Sequence, residues 1–122
     1  MTPDTKLNYI EFGTLDMEAS KCFFTQVFNW YFTDYGSEYA AFFAGEAGID
    51  GGFYLLANHQ DQSPGNHVLP VFYSHSLAET ERNIIAAGGE ITRPVFHFPG
   101  GRRFHFREPG GNELAVWSDR EE

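Results

Sequence analysis

The chain has 122 residues but only one cysteine, Cys22, and only eight basic residues against 17 acidic ones. A single cysteine excludes an intramolecular disulfide and a zinc site built from several thiolates, and it agrees with a reducing compartment. We expect Cys22 to be a small buried packing residue rather than a nucleophile. The net charge of −9 opposes binding to nucleic acid and to anionic membranes, so we expect neither as a partner.

Long apolar runs are also missing. No stretch approaches the roughly 18 apolar residues of a membrane span, and polar residues 1–6 have no apolar segment behind them, so we expect a cytoplasmic protein. The chain does have a composition that is 42% hydrophobic and includes 13 Phe. At this length, such a composition predicts one densely packed domain covering residues 1–122.

The second half of the sequence repeats the first at an offset of 60 residues. A helix-start signal at Asp16 returns at Ser76, and the Gly-rich approach to a strand at residues 51–53 returns at residues 111–113. Two similar units predict a pseudo-twofold fold, with any shared cavity between the units.

Residue alternation and helix-end signals predict an α+β protein in which each unit has the order βαβββ. For module one, about 7–57, we expect a strand over 7–14, a helix over 16–28 ending at Asn29, and strands over 30–35, 39–44 and 52–57. For module two, about 67–118, we expect a strand over 67–74, a helix opened by a capping box at 76–79 and closed at 88–89, and strands over 90–97, 102–108 and 113–118. Polar residues 58–66 are the expected linker.

Several motifs occur in a recognisable order: Asp16, the pair Phe23-Phe24, residues 27–30, residues 87–89 and the turn at residues 108–112. In this order they resemble the vicinal oxygen chelate superfamily, which includes glyoxalase I, extradiol dioxygenases, and bleomycin and fosfomycin resistance proteins. The chain looks most like the uncharacterised branch related to lactoylglutathione lyase. The resemblance implies two βαβββ modules whose mixed sheets curl around a cavity, with the helices outside, and a homodimer.

In metal-dependent members of this superfamily, His and Glu side chains from the first and last strands of each module hold one divalent ion. The resemblance assigns these positions to Tyr9, Leu55, Leu69 and Ala115. None of the four is a usual metal ligand, so we expect no metal cofactor. The minority alternative is a divalent metal ion at a displaced site made of Glu11, His67 and Glu113.

Glu11 is the most informative residue of the first strand. Alternation places it on the face opposite Ile10 and Phe12, and the resemblance turns that face toward the cavity. A desolvated carboxylate at this position can act as a general base. The alternative is a salt bridge or a solvated carboxylate at an open cleft.

Arg103 and His105 alternate with Phe104 and Phe106, so the two pairs lie on opposite faces of a strand. If the Phe pair faces the helices, the basic pair faces the cavity. There it can hold a carboxylate or an enolate, with His105 exchanging protons near neutral pH. The alternative is that these are edge-strand charges in water.

Tyr73 and Trp117 are separated by even numbers of residues from Leu69 and Ala115, which predicts shared faces. With Tyr9 they make the expected cavity aromatic. Such a cavity can stack a planar or cationic ligand. The alternative is that the aromatic side chains only fill the cavity.

Together these features predict a metal-independent protein that binds a small organic molecule, and drug sequestration of the bleomycin-resistance type is one instance. The predicted ligand-binding residues are Tyr9, Glu11, Leu69, Tyr73, Arg103, His105 and Trp117. The alternative is a lyase, isomerase or dioxygenase of the same superfamily, with or without a metal, that acts next to a carbonyl. Its candidate catalytic residues are Glu11 or His105 as base and Arg103 as the holder of the oxyanion.

Overall fold

The computed structural model describes residues 5–56 and 68–120 and consists of two units with the same connectivity. Unit one contains β1 (Tyr9–Thr14), α1 (Met17–Phe28), β2 (Phe32–Asp34), β3 (Tyr39–Phe42), α2 (Ala44–Ala47) and β4 (Asp50–Leu55). Unit two contains β5 (Val71–Tyr73), α3 (Leu77–Ala86), β6 (Glu90–Phe98), β7 (Gly101–Arg107) and β8 (Glu113–Ser118). The predicted α+β fold of two βαβββ modules is confirmed, whereas the expected linker at 58–66 lies outside the described residues.

Each unit forms one four-stranded mixed sheet. The strand order is β1-β4-β3-β2 in sheet A and β5-β8-β7-β6 in sheet B. In both sheets the first strand pairs in parallel with the last strand of its unit, and the other neighbours are antiparallel. No helix in the described ranges is long and apolar enough to cross a membrane.

Helix α1 begins and ends where the sequence predicts. The Asp16 carboxylate accepts a hydrogen bond from the backbone N–H of Ala19 at 3.1 Å, which satisfies one of the free donors of the first turn. Asn29 ends the helix in the left-handed conformation with φ of 63°. Asparagine tolerates this conformation better than most residues, which explains the stop.

A hydroxyl pair before each helix repeats at the offset of 60 residues. Thr14 Oγ1 lies 2.7 Å from Ser20 Oγ, and Ser74 Oγ lies 2.7 Å from Thr80 Oγ1. The N–H of Ser76 donates to Ser74 Oγ at 3.0 Å, a partner that the predicted capping box did not include. The sequence repeat is therefore present in individual hydrogen bonds.

Helix α1 lies between the two sheets. It packs on β4 of its own unit, while Phe23 stacks 5.8 Å from Phe106 of β7 and Phe28 stacks 4.0 Å from Phe72 of β5. The inward faces of both sheets therefore contribute to one aromatic core. The space between the units of one chain is filled, so the predicted position of a shared cavity there is wrong.

Candidate functional site

The side chains of β1 alternate between the core and the outward face of sheet A. Phe12 is buried, Glu11 is exposed and Tyr9 keeps 42% of its surface exposed. Glu11 pairs with Gly52 of β4, which pairs with Ala41 of β3. Because these two neighbours have little or no side chain, they leave space beside Glu11 on the outward face.

Tyr39 of β3 occupies this space and joins Tyr9 and Glu11 in a hydrogen-bond chain. Its hydroxyl donates to Glu11 Oε2 at 2.9 Å and lies 2.6 Å from the Tyr9 hydroxyl. Since the Tyr39 proton points to the carboxylate, Tyr9 is the donor in the second bond. A Cβ at Gly52 would overlap the Tyr39 side chain, so glycine permits the chain. The sequence analysis missed Tyr39, and the Gly pair at 51–52 was the available signal.

Burial raises the pKa of the Tyr39 hydroxyl above its ordinary value, and the hydrogen bonds to Tyr9 and Glu11 raise this pKa further. Tyr39 therefore stays protonated at neutral pH and keeps its bond to the carboxylate. The order of donors, from Tyr9 through Tyr39 to Glu11, can pass a proton from the outer hydroxyl to a carboxylate base.

The predicted residues of unit two lie together on the outward face of sheet B. Trp117 of β8 pairs with Arg103 of β7 on one side and with Tyr73 of β5 on the other. The Tyr73 and Trp117 rings meet edge to face, with centroids 5.1 Å apart. His105 pairs with Ala115, a small residue that leaves room for the imidazole.

Arg103 lies among aromatic rings of β6. Its guanidinium carbon is 5.3 Å from the centroid of Phe96 and 5.8 Å from that of Phe98. Arg93 packs on Phe96, with its guanidinium carbon 3.7 Å from the centroid. In the part of the chain that the structure describes, neither arginine forms an ion pair. Arg103 Nε is buried and has no hydrogen-bond partner there.

His105 is oriented by a carboxylate. Its Nδ1 lies 3.5 Å from Glu113 Oε2, which also accepts a hydrogen bond from Thr92 at 2.9 Å. The imidazole packs against Phe96 at 5.9 Å between ring centroids, and only 12% of the His105 side chain is exposed. His105 Nε2 is buried and finds no partner among the described residues. This environment differs from the alternative of edge-strand charges in water.

The two groups of candidate residues are separated in one chain. Tyr9 and Glu11 lie on sheet A, and no hydrogen bond or ion pair within the described ranges connects Glu11 to Arg103 or His105. Leu69 precedes β5 and is partly buried. Because the inward faces of both sheets contribute to the shared core, the two outward faces point away from it.

The offset between the two units changes along the sheets. Gly13 of β1 pairs with Tyr54, whereas its counterpart Tyr73 pairs with Trp117, so the offset between last strands is 63 residues, from 54 to 117. The longer β6, whose pairing with β7 shows two register shifts, precedes this change. An offset taken from the helices therefore misplaces residues of β4 relative to β8.

Leu55 is the prediction that this change overturns. It pairs with Thr14 and so lies on the face of sheet A that carries the core residues. The counterpart of Ala115 is Gly52, since Ala115 precedes Trp117 by two residues as Gly52 precedes Tyr54. The expected correspondence of residues 51–53 with 111–113 is wrong for the same reason.

The residues do not fit the metal site of the superfamily. With Gly52 in place of Leu55, the four assigned positions offer one phenol oxygen and no imidazole or carboxylate. No group of three or more His, Cys, Asp and Glu side chains that could hold an ion occurs within residues 5–56 and 68–120. Of the displaced set, Glu11 and Glu113 lie on different sheets, and His67 lies outside the described residues.

Cys22 is exposed on α1, so the prediction that it is a buried packing residue is wrong. The helix instead turns Phe23 and Phe24, the next two residues, into the core.

Two open clefts lie apart from the paired candidate residues. One, of about 370 Å³, lies beside the start of α1 and is lined in part by Asp16 and Lys21. The other, of about 560 Å³, lies at the β6–β7 hairpin and is lined in part by His97, Arg102 and Asp119. Neither cleft joins the two outward faces.

Solved structures with the same fold cover nearly the whole chain. A glyoxalase/bleomycin resistance protein/dioxygenase family enzyme from Burkholderia phytofirmans PsJN is 16% identical, with a TM-score of 0.75, and the match covers 93% of this chain and 98% of that one. A glyoxalase-related enzyme from Fulvimarina pelagi is 21% identical, with a TM-score of 0.74 and coverage of 93% and 88%. The fosfomycin resistance protein FosX from Listeria monocytogenes is 19% identical, with a TM-score of 0.75 and coverage of 93% of each chain.

No curated protein matches the chain. The sequence model of the superfamily, in contrast, matches residues 6–116, which is almost the full length. This match and the two βαβββ modules agree with the motifs found in the sequence. The chain therefore belongs to the Glyoxalase/Bleomycin resistance protein/Dioxygenase superfamily.

Proposed function

We propose that this protein binds a small organic molecule in a cavity formed by two copies of the chain, without a metal. In each cavity, the outward face of sheet A from one copy meets the outward face of sheet B from the other. The observation that carries the proposal is the division of the candidate residues between two faces that point away from one shared core. A reciprocal homodimer joins these faces twice.

Exposed apolar side chains on both faces support this arrangement. Tyr9 and Tyr54 on sheet A are 42% and 43% exposed, and Val71 and Tyr73 on sheet B are each 44% exposed. Aromatic surface that is grouped on one face marks an interaction site more often than scattered exposed residues do. Both faces therefore have the composition expected of cavity walls or of an interface.

The charges of the two faces are complementary. Sheet A presents the Glu11 carboxylate, whereas sheet B presents Arg93 and Arg103, which have no carboxylate partner in the described part of the chain. Opposite charges on facing surfaces favour one docking orientation over others. The pairing of unlike faces is therefore favoured over the pairing of like faces.

Relatives of the same fold support a small ligand. FosX from Listeria monocytogenes, 22% identical in this comparison, was solved with Mn(II) and dihydroxypropylphosphonic acid. We propose a small-molecule ligand here as well, but no metal, because Gly52 and Ala115 offer no ligand atoms at two of the assigned positions. The branch related to lactoylglutathione lyase stays a prediction. With its single cysteine, we place the protein in the cytoplasm.

Sedimentation equilibrium and thermal shift together test the proposal. We expect a dimer, and we expect at least one member of a panel of cationic, neutral and anionic aromatic molecules to raise the melting temperature, since ligand at 100 times Kd adds about 2.7 kcal/mol. Mass spectrometry of protein purified without chelator should find much less than one metal ion per chain. A monomer at every concentration, together with no stabilising ligand, would contradict the proposal.

A charge placed on the outward face provides a sharper version of this test. Val71→Glu should dissociate the dimer, because it places a carboxylate within the proposed interface. Ile85→Glu is the matched control, since Ile85 is an exposed aliphatic residue on α3, 55% exposed against 44% for Val71. Equal dimerisation of the two variants would argue against this interface.

The Tyr9–Tyr39–Glu11 chain favours one second candidate, an enzyme that moves a proton next to a carbonyl. Glu11 would accept the proton, and Arg103 from the facing sheet would hold the oxyanion. Deuterium exchange at the carbon next to the carbonyl of a bound ketone can be followed by NMR. Glu11→Gln should lower this exchange by about 100-fold or more if Glu11 is the base. Unchanged exchange would remove Glu11 from that role.

A further inference from the structure

Two buried nitrogen atoms on the outward face of sheet B have no hydrogen-bond partner. They are Arg103 Nε and His105 Nε2, and they are the only such side-chain atoms within residues 5–56 and 68–120. Arg103 and His105 are two positions apart on β7, so both side chains lie on the same face. An unpaired buried donor costs free energy, so a group that supplies an acceptor to these atoms binds favourably.

The surroundings of these atoms are flat and aromatic. Phe96 and Phe98 flank the Arg103 guanidinium, and the Phe98 ring lies 6.1 Å from Trp117. Trp117 in turn meets Tyr73 edge to face. A planar ring that enters this face can therefore stack on aromatic neighbours while its substituent reaches the guanidinium.

The local charge is positive although the whole chain carries −9. Arg107 pairs with Glu90 at 3.2 Å, and Glu113 is engaged by His105 and Thr92. This leaves Arg93 and Arg103 uncompensated among the described residues of the sheet. Their charges disfavour a cationic ligand at this face and favour an anionic one.

We propose that the ligand is a planar aromatic carboxylate, which rests on the small-molecule function proposed above and names its chemical class. The carboxylate lies against the Arg103 edge that includes Nε, where arginine offers two parallel N–H donors to two oxygens. His105 Nε2 contacts the same group when the imidazole is protonated. The ring of the ligand stacks within the cluster of Phe96, Phe98 and Trp117.

Four simple probes separate charge from shape. We would titrate the dimer with benzoate and 2-naphthoate, and with benzamide and benzylammonium as neutral and cationic analogues of similar size. Both carboxylates should bind, and benzamide should bind about 10-fold more weakly or worse, because a charged hydrogen bond contributes more than a neutral one. The indole N–H resonance of Trp117 should move, while that of Trp30, which is only 4% exposed in the core, should not.

Arg103→Gln should weaken benzoate binding by about 10-fold to 100-fold, since it removes a charged donor pair. Arg102→Gln is the matched control, because Arg102 is the preceding residue on β7, faces the other way and donates to the Arg120 carbonyl. This control should stay within about 2-fold of wild type. If Arg103→Gln does not fold, Arg103→Lys keeps the charge but loses the parallel donors, and Phe96→Leu removes a wall. Each should weaken benzoate binding.

Three results would overturn the proposal while leaving the small-molecule function intact. They are equal binding of benzamide and benzoate, benzoate binding that no change at Arg103 weakens, and binding by neutral or cationic panel members alone. A fourth is failure of benzoate to bind while Arg103→Gln and Glu11→Gln weaken the dimer non-additively. Glu11 of the partner subunit would then be the anion at this face. Failure of every panel member would overturn both proposals.

Discussion

The absence of a side chain at position 52 lets Tyr39 lie across β4 and reach both Glu11 and Tyr9. The phenol is held by two short hydrogen bonds, at 2.9 and 2.6 Å, on a face that is otherwise open. The geometry of this part of the candidate site therefore depends on one glycine.

We expect Gly52→Ala to destabilise the protein by about 1–3 kcal/mol, because the new methyl group overlaps Tyr39 and approaches the Ala40 carbonyl. Urea unfolding measures this change. Gly45→Ala is the control, since a Cβ at that position meets nothing within 4 Å and alanine is favoured in a helix such as α2. Equal stabilities of the two variants would show that Tyr39 does not lie on Gly52.

The raised pKa of Tyr39 makes a prediction at alkaline pH. The unfolded chain releases this proton near the ordinary pKa of 10.0, and the folded chain releases it later, so the unfolded state binds fewer protons in between. The stabilisation is therefore complete below pH 10.0 and is lost as the pH rises toward the folded pKa. In absorbance titration of tyrosine, Tyr39→Phe should lack one late ionisation. An unchanged late step would contradict this assignment.

Alternation along single strands was enough to find Glu11, Arg103 and His105 as outward residues. It could not find Tyr39, because its role depends on the pairing of β3 with β4 and on the space above Gly52. Cross-strand register is a property of the folded sheet, and a one-residue change in register exchanges the faces.

Glu108 connects the turn between β7 and β8 to unit one. The carboxylate is buried, with 1% of the residue exposed, and it accepts hydrogen bonds from Ser20 of α1 at 2.9 Å and from the Gly110 N–H at 2.7 Å. Asn112 Nδ2 donates both to Glu108, at 2.7 Å, and to the Gly13 carbonyl of β1, at 3.0 Å. Helix α1, strand β1 and this turn are therefore held by one polar network.

Glu108→Gln should destabilise the protein by about 1–3 kcal/mol, because the amide turns a donor toward the donors that now meet a carboxylate oxygen. Chemical unfolding with fluorescence detection measures this loss. Glu90→Gln is the matched control, since Glu90 pairs with Arg107 on the surface and should change stability by less than about 0.5 kcal/mol. Similar losses in both variants would show that burial of Glu108 is not the cause.

The sequence allowed the order of the elements to be predicted, because the caps at Asp16 and Ser76 and the stop at Asn29 are local signals. Helix α2 was missed because its four residues are too few to show a helical period. Strand β5 has three residues rather than the expected 67–74, of which residue 67 lies outside the described residues. The changed offset between β4 and β8 was also missed, because extra residues in β6 leave no local mark.

The two outward faces give the whole molecule its proposed function. One core and one interposed helix stabilise both sheets, but each chain then has only half of each set of candidate residues on each face. A second copy that adds sheet B to sheet A would complete the cavity and bring Glu11 opposite the basic residues of the other subunit.

A charge exchange tests this arrangement most directly. Native mass spectrometry at low ionic strength would be applied to Glu11→Arg, to Arg103→Glu and to their mixture, because screening at 0.1 M salt already acts over about 10 Å. Each variant alone should dissociate, since both of its interfaces place like charges opposite each other. The mixture should form heterodimers, in which one interface is native and the other has exchanged charges. Homodimers of each variant as stable as wild type, or no heterodimer in the mixture, would contradict the account.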